Sequence, residues 1–297
     1  MTRGSAHETR EPARDEEQHG PAIGDRPYEL VAIDLDGTLV DSQNVISEAV
    51  ERTVREVRQA GVKIVLVSGR PQVAALPIFR QLGLALPLIS SGGAQVSDPS
   101  SGRVIAHFQP PVADIGKLVA LARSAGLTLV YQTPDEVFGE GSAEILDVLR
   151  AGVRIRIEQV EDGQLACPEP IKVTVCGPRQ QLDEIRAEME RLGLALSSVL
   201  SGPEYLEVTA KGVSKGRALR SVAGFLGVSL DRILVIGDAP NDISMFAEGG
   251  LAVAMGNAPP EVQAAAAVVA PSIDDDGVAW ALRRFVLGPE SRWSSKE

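Results

Sequence analysis

Val31-Ala32-Ile33-Asp34-Leu35-Asp36-Gly37-Thr38-Leu39-Val40 is an apolar run that ends in two carboxylates, then a glycine and a hydroxyl. It reads as a buried strand delivering two acids to its own C-terminal edge. In open α/β sheets that edge is where ligands bind, because loops and helix N-termini converge there while the sheet below stays packed. A buried anion is costly unless a cation or a set of hydrogen bonds compensates it, so a metal ion is the natural partner for both acids. Gly37 allows the turn and leaves backbone N–H groups free to face an anion.

Outward from this strand, the chain alternates strand and helix. Ser47 caps a helix whose apolar positions Ala49, Val50, Val54 and Val57 share a face, and Gly61 ends it. Lys63 to Val67 is a second buried strand, running into Ser68-Gly69-Arg70-Pro71 and a helix to about Leu82. Leu86 to Ser90 is the third strand, and Ser91-Gly92-Gly93-Ala94 leads from it into a hairpin turning at residues 98–102. This rhythm specifies a parallel sheet with right-handed crossovers.

Pro110-Pro111 marks a boundary, beyond which the pattern resets. Helices over 112–125, 143–150 and 179–191 and strands over 128–131, 171–175, 194–200 and 205–209 form an α+β module, inserted over about 112–210. The first pattern resumes at Gly212-Val213-Ser214-Lys215-Gly216, with Ser214 as a helix cap. A strand over Arg232–Ile236 leads into Gly237-Asp238-Ala239-Pro240-Asn241-Asp242, then a helix to about Glu248, a strand over 251–254, a short helix after Pro260 and a last helix over 277–285. The expected organisation is a disordered tail over 1–26, a core from 27–111 and 211–288, an inserted module over 112–210, and a C-terminal tail over 289–297. The N-terminal stretch has too few bulky apolar residues to offset its ordering entropy.

Composition limits the function. With 297 residues, 44% of them hydrophobic, the chain can bury a core domain and a second module. Twenty-nine basic against forty acidic residues give a net charge of −11, which disfavours nucleic acid and anionic membrane surfaces as partners. Cys167 and Cys176 are too few for a disulfide framework and are expected as buried thiols in a reducing compartment. His7, His19 and His107 are scattered, so no zinc site or histidine relay is in view. There is no membrane-span-length apolar run, no signal-peptide core, no P-loop and no strand-linked dinucleotide motif, so a cytoplasmic protein is expected.

Four sites fall at strand ends or helix starts: Asp34 with Asp36, Ser68, Lys215, and Asp238 with Asn241 and Asp242. In order and spacing they resemble the four signatures of the haloacid dehalogenase superfamily. The insertion between the second and third resembles the Cof-type sugar-phosphatase subfamily, and the likeness covers about residues 28–286. It implies a Rossmann-like parallel sheet core with an inserted α+β cap domain, and a Mg²⁺-dependent phosphatase of small phosphate esters, sugar phosphates above all.

By that resemblance Asp34 is the nucleophile that forms an aspartyl-phosphate, and Asp36 protonates the leaving oxygen and later activates water. Mg²⁺ is held by Asp34, the backbone carbonyl of Asp36 and Asp238, with Asp242 close by. Ser68 donates to a phosphoryl oxygen and Lys215 balances charge. Gly37, Thr38, Gly69, Gly92, Gly93, Asn241 and Asn257 are the implied substrate-binding positions. The chain departs from the subfamily at Gly92, where Asn is common, so a side-chain amide near the substrate is missing. Arg70 is open between a surface or structural role and substrate binding, and Lys172 reads as an edge-strand lysine rather than a ligand.

Two other functions fit this pattern less well. A phosphomutase of the same superfamily would return the phosphoryl group to a sugar, and a catalytically idle binding module would need none of the retained acids. A dehalogenase would not use Asp36 as a second acid or Asp238 as a metal ligand. A transport ATPase would need membrane spans. The sequence does not indicate an oligomeric state.

Overall fold

The structure, a computed structural model, describes residues 28–160 and 169–288. The two expected tails, His7, His19 and Cys167 lie outside the described residues. Strand β1 (Leu30–Ile33) is four aliphatic residues with no exposed surface, as a strand covered on both faces requires. Ser47 caps α1 (Glu48–Gln59) by accepting the Val50 N–H, and the helix buries Val50, Val54 and Val57. β2 (Lys63–Leu66) lies parallel to β1, and α2 (Gln72–Gln81) follows.

β3 (Leu88–Ser90), β4 (Gln95–Asp98) and β5 (Arg103–His107) then form a separate antiparallel sheet, with the expected hairpin turn between the last two. The third strand is therefore shorter than the sequence suggests. It follows Pro87, which has no N–H to donate, and meets the parallel sheet at a single bridge, Val67 opposite Ile89.

The inserted segment contributes α3 (Val112–Ser124), β6 (Thr128–Gln132), β7 (Val137–Glu140), α4 (Ala143–Val153), β8 (Glu158–Gln159), β9 (Lys172–Cys176), α5 (Arg179–Arg191), β10 (Leu196–Gly202) and β11 (Tyr205–Ala210). Its strands make one cap sheet in the order β10-β11-β9-β6-β7-β8. Alternation sorts the two faces. Leu129, Tyr131, Val173, Val175, Leu206 and Val208 pack against Ile115, Leu118, Leu182 and Ile185 of α3 and α5. Val130, Gln132, Lys172, Thr174 and Glu207 point the other way. The sequence reading missed β7, which contains a glycine, and β8, which is two residues long.

The chain returns through α6 (Lys215–Leu226), β12 (Ile233–Gly237), α7 (Ile243–Phe246), β13 (Leu251–Ala254), α8 (Pro260–Ala265), β14 (Val268–Val269) and α9 (Gly277–Leu282). The core sheet is parallel throughout, in the order β14-β13-β12-β1-β2. Its inner strand β1 sends Val31 and Ile33 to one face, against α1 and α9, and Leu30 and Ala32 to the other, against α6. The helix expected up to Glu248 is broken into a 3₁₀ turn over 240–242 and the single turn of α7. The last helix stops at Leu282 and continues as a wider π turn to Leu287. No helix among the described residues is long and apolar enough to cross a membrane.

Candidate active site

The first acid sits where β1 runs out. The Asp34 N–H still donates to the Ile236 carbonyl of β12 at 3.0 Å, so its backbone is fixed by the ladder, and the residue is 3% exposed. Lys215, the first residue of α6, is equally buried and donates to Asp34 Oδ1 and to Asp242 Oδ1 at 2.6 Å each. Among the described residues, Asp34 Oδ2 has no hydrogen-bond donor. The other oxygen of Asp242 accepts the backbone N–H groups of Asp238 and Ala239 at 3.0 and 2.9 Å. Thr38 Oγ1 donates to Asp238 Oδ1 at 2.9 Å. Gly37 lies at φ +78° with Asp238 2.3 Å from where a Cβ would stand, so this turn accepts no side chain.

Asp34, Asp238 and Asp242 can each bring one oxygen within 4.8 Å of the others. Lys215 supplies a single positive charge among them. Burial, and then Asp242, push the Asp34 carboxyl well above the ordinary aspartate range in spite of Lys215. The same two causes raise Asp238 to about 6. Burial works against the charge on Lys215, but Asp242 and Asp34 outweigh it and hold its pKa above the ordinary lysine value. Three close carboxylates with one ammonium carry uncompensated negative charge. Their donors are hard oxygens, the set that a small divalent cation such as Mg²⁺ takes.

Asp36 sits on the cavity side of the turn. Its carboxylate is paired with Arg70, whose Nε donates to both oxygens at 2.9 Å and whose Nη2 also reaches Oδ1 and Asn44 Oδ1. Arg70 is thus buried and bound to the second acid, and it also lines the cavity between core and cap. Ser68 is fully buried, and its hydroxyl accepts the Arg70 N–H at 3.0 Å, which leaves its own proton free to donate.

A cavity of about 370 Å³ is lined by Asp34, Asp36, Gly69, Lys215, Asp238 and Asn241 from the core and by Gln132, Lys172 and Glu207 from the cap sheet. A smaller one of about 210 Å³ adjoins Gly92, Lys215 and Asn241. The Asn241 side-chain carbonyl is buried without a partner. Of the expected substrate contacts, Gly69, Gly92 and Asn241 line these two cavities, while Gly37, Thr38, Gly93 and Asn257 line neither. Gly93 packs against the Ser214 backbone, and Asn257 spends its amide on the Gly37 carbonyl and the Ile273 N–H, tying the Gly37 turn to the segment before α9.

Lys172 corrects the edge-strand reading. β9 lies inside the cap sheet, and Lys172 is 1% exposed, pairs with Glu207 at 2.6 Å and donates to the Gly69 carbonyl at 2.8 Å. The sequence carries a sign of this, because Glu207 occupies an alternate position of an otherwise apolar strand and offers a partner for a lone lysine in another. Gln132 and Glu207 went unnoticed for the same reason: a polar residue at one position of a strand does not announce which way the strand faces.

Residues 31–282 match the family model of the haloacid dehalogenase-like hydrolases. The 5-amino-6-(5-phospho-D-ribitylamino)uracil phosphatase YcsE of Bacillus subtilis is 29% identical over 266 residues, covering 89% of this chain and 98% of that protein. The HMP-PP phosphatase of Serratia proteamaculans is 28% identical, covering 80% of this chain and 86% of its own. A haloacid dehalogenase-like hydrolase from Bacteroides thetaiotaomicron superposes with a TM-score of 0.76 at 26% identity, over 86% of this chain and 99% of that one. In fold alone, the subclass IIB sugar phosphatase BT4131 matches with a TM-score of 0.79 at 24% identity, over 86% and 98% of the two chains.

Proposed function

The chain belongs to the haloacid dehalogenase-like hydrolase family, and on that premise we propose that it is a Mg²⁺-dependent phosphatase of small phosphorylated metabolites that works through an aspartyl-phosphate on Asp34. The observation that carries the reading is the setting of Asp34: a buried carboxylate at a strand end, with one oxygen on Lys215 and the other without a donor, lining a cavity of about 370 Å³. An Asp34 oxygen attacks phosphorus as the bond to the leaving oxygen breaks. Asp36 gives that oxygen a proton, then takes one from the water that reopens the acyl-phosphate.

Lys215 offsets the charge shared by Asp34 and the phosphoryl group, and the Ser68 hydroxyl donates to a phosphoryl oxygen. Asp34, the Asp36 carbonyl and Asp238 would hold Mg²⁺, with Asp242 bracing their loop from beneath. Bound there, the ion would offset the charge that develops on the phosphoryl oxygens. The segment over 112–210 acts as the cap, excluding water and setting substrate size. The named activities of the relatives, each on a small phosphate ester, support the same substrate class. Phosphate release from a panel of such esters, present with Mg²⁺ and lost with a chelator, tests the reading. Transfer of the group to a second sugar position would mark a phosphomutase instead, and turnover of no ester an idle binding module.

A further inference from the structure

We propose that the leaving group this site selects carries a flat ring with an amide-like edge, and that Gln132 of the cap sheet reads that edge. The inference rests on the phosphatase reading above and concerns what lies beyond the phosphoryl group. The core side of the cavity is polar and acidic, whereas the cap side sets an apolar patch of Val130, Val137, Leu149, Ile155 and Ile157 beside the polar Gln132, Thr174 and the Lys172–Glu207 pair. Val130, Val137 and Ile157 belong to a small hydrophobic cluster of the cap, and the cavity opens against it. Hydroxyls laid against that patch would lose water without a partner in it, while a ring face loses nothing polar there.

Gln132 lies beside this patch. It is 6% exposed, and its side-chain carbonyl is buried without a hydrogen-bond partner. A buried amide left unpaired is costly, and in a cavity wall it is relieved by a ligand that both donates and accepts. The register sets the neighbours: Gln132 stands directly opposite Lys172 on β9, and Thr174 opposite Glu207 on β11. Lys172 is already held by Glu207 and Gly69, so on the cap side the amide beside it has a hydrogen bond still to make, as Asn241 has on the core side. A lactam or imide edge, one N–H beside one carbonyl, matches it whichever way round the amide sits.

Uridine 5′-monophosphate and ribose 5-phosphate share the phosphate and the sugar and differ in the ring, so their kcat/KM ratio isolates it. The expected ratio is roughly tenfold or more in favour of the ring, falling by roughly tenfold in Gln132→Leu. Because that variant alters a buried position, Leu149→Asn on the wall provides a second reading and should also lower the ratio. A wild-type ratio at or below one, or a ratio that both folded variants leave unchanged, overturns the inference while the phosphatase reading stands. Hydrolysis of neither ester nor of p-nitrophenyl phosphate, with Mg²⁺ present, overturns the phosphatase reading itself.

Discussion

Arg70 grips both carboxylate oxygens of Asp36 through Nε, although the Arg70 side chain is 5% exposed and that of Asp36 54%. The buried partner is therefore the fixed one, further held by Asn44, whose own amide donates to the Gly152 carbonyl in α4 of the cap. A guanidinium on both oxygens aims the carboxylate and competes with the leaving-group oxygen for it. Asp36→Asn should lower kcat by about 10²–10⁴, the range of a lost general acid. Arg70→Leu, which frees the carboxylate but leaves it present, should cost less, roughly tenfold, with Arg70→Lys in between. Steady-state kinetics on folded variants checks this, and a wild-type kcat for Arg70→Leu would remove Arg70 from any positioning role.

The nucleophile assignment separates chemistry from stability. Asp34→Asn replaces an attacking oxygen by a neutral amide, so phosphate release should vanish while Lys215 keeps Asp242 as partner. Lys215→Met should do both kinds of harm. It leaves Asp34 and Asp242 buried without their cation, a loss of roughly 3–5 kcal/mol for a broken buried pair. Denaturant melts alongside phosphate release distinguish the two. Near wild-type turnover by folded Asp34→Asn would refute the assignment.

The core was legible because each element carries a local signal. β1 is an unbroken aliphatic run, Ser47 and Ser214 accept the N–H groups of their own helices, and the acids stand at strand ends where an α/β sheet gathers its ligands. What the sequence withheld depends on contacts between distant segments. Lys172 read as an edge lysine because nothing local shows that β11 flanks it on one side and β6 on the other. The pairing of Arg70 with Asp36, thirty-four residues away, has no local signal. The two bonds of Asn257 to Gly37 and Ile273 arise only when the end of the chain folds back.

Asp238 makes the free protein sensitive to pH in a definite direction. Its carboxyl is raised from the ordinary 3.8 to about 6 by burial and by Asp242, so between those values the folded state binds the proton more tightly than the unfolded one. Stability from this group is complete below about pH 4 and is lost as pH rises through about 6, at most roughly 3 kcal/mol. A divalent cation at the acidic cluster reverses the penalty, because it favours the ionised form. Mg²⁺ should therefore raise Tm more at pH 7.5 than at pH 5, where protons compete for the same oxygens. Scanning calorimetry at both pH values, with and without Mg²⁺, checks this; an equal shift at each would place the stabilising ion elsewhere.

Two adjacent glycines should respond to a side chain to very different degrees. Gly93 lies at φ +97°, and a Cβ there would stand 2.3 Å from the Ser214 carbonyl oxygen and 3.1 Å from the Lys215 nitrogen. Ser214 caps α6 and Lys215 opens it, so room for that carbon can come only by moving the helix end that carries the lysine. Gly93→Ala should therefore destabilise the fold by roughly 2–4 kcal/mol through backbone strain and overpacking. It should also lower kcat, because the Lys215 contact to Asp34 is lengthened. Gly92 lies at φ +69°, a left-handed value that Asn tolerates, and the nearest atom to its Cβ is Glu207 Oε2 at 3.7 Å. Gly92→Asn should cost no more than about 1 kcal/mol and place an amide beside Glu207 at the mouth of the smaller cavity. Its effect should then appear in KM and in the order of preference among esters, with kcat for the best substrate little changed. Thermal melts and kinetics of the pair decide the matter: equal destabilisation by both would mean that the Ser214 contact does not limit this loop.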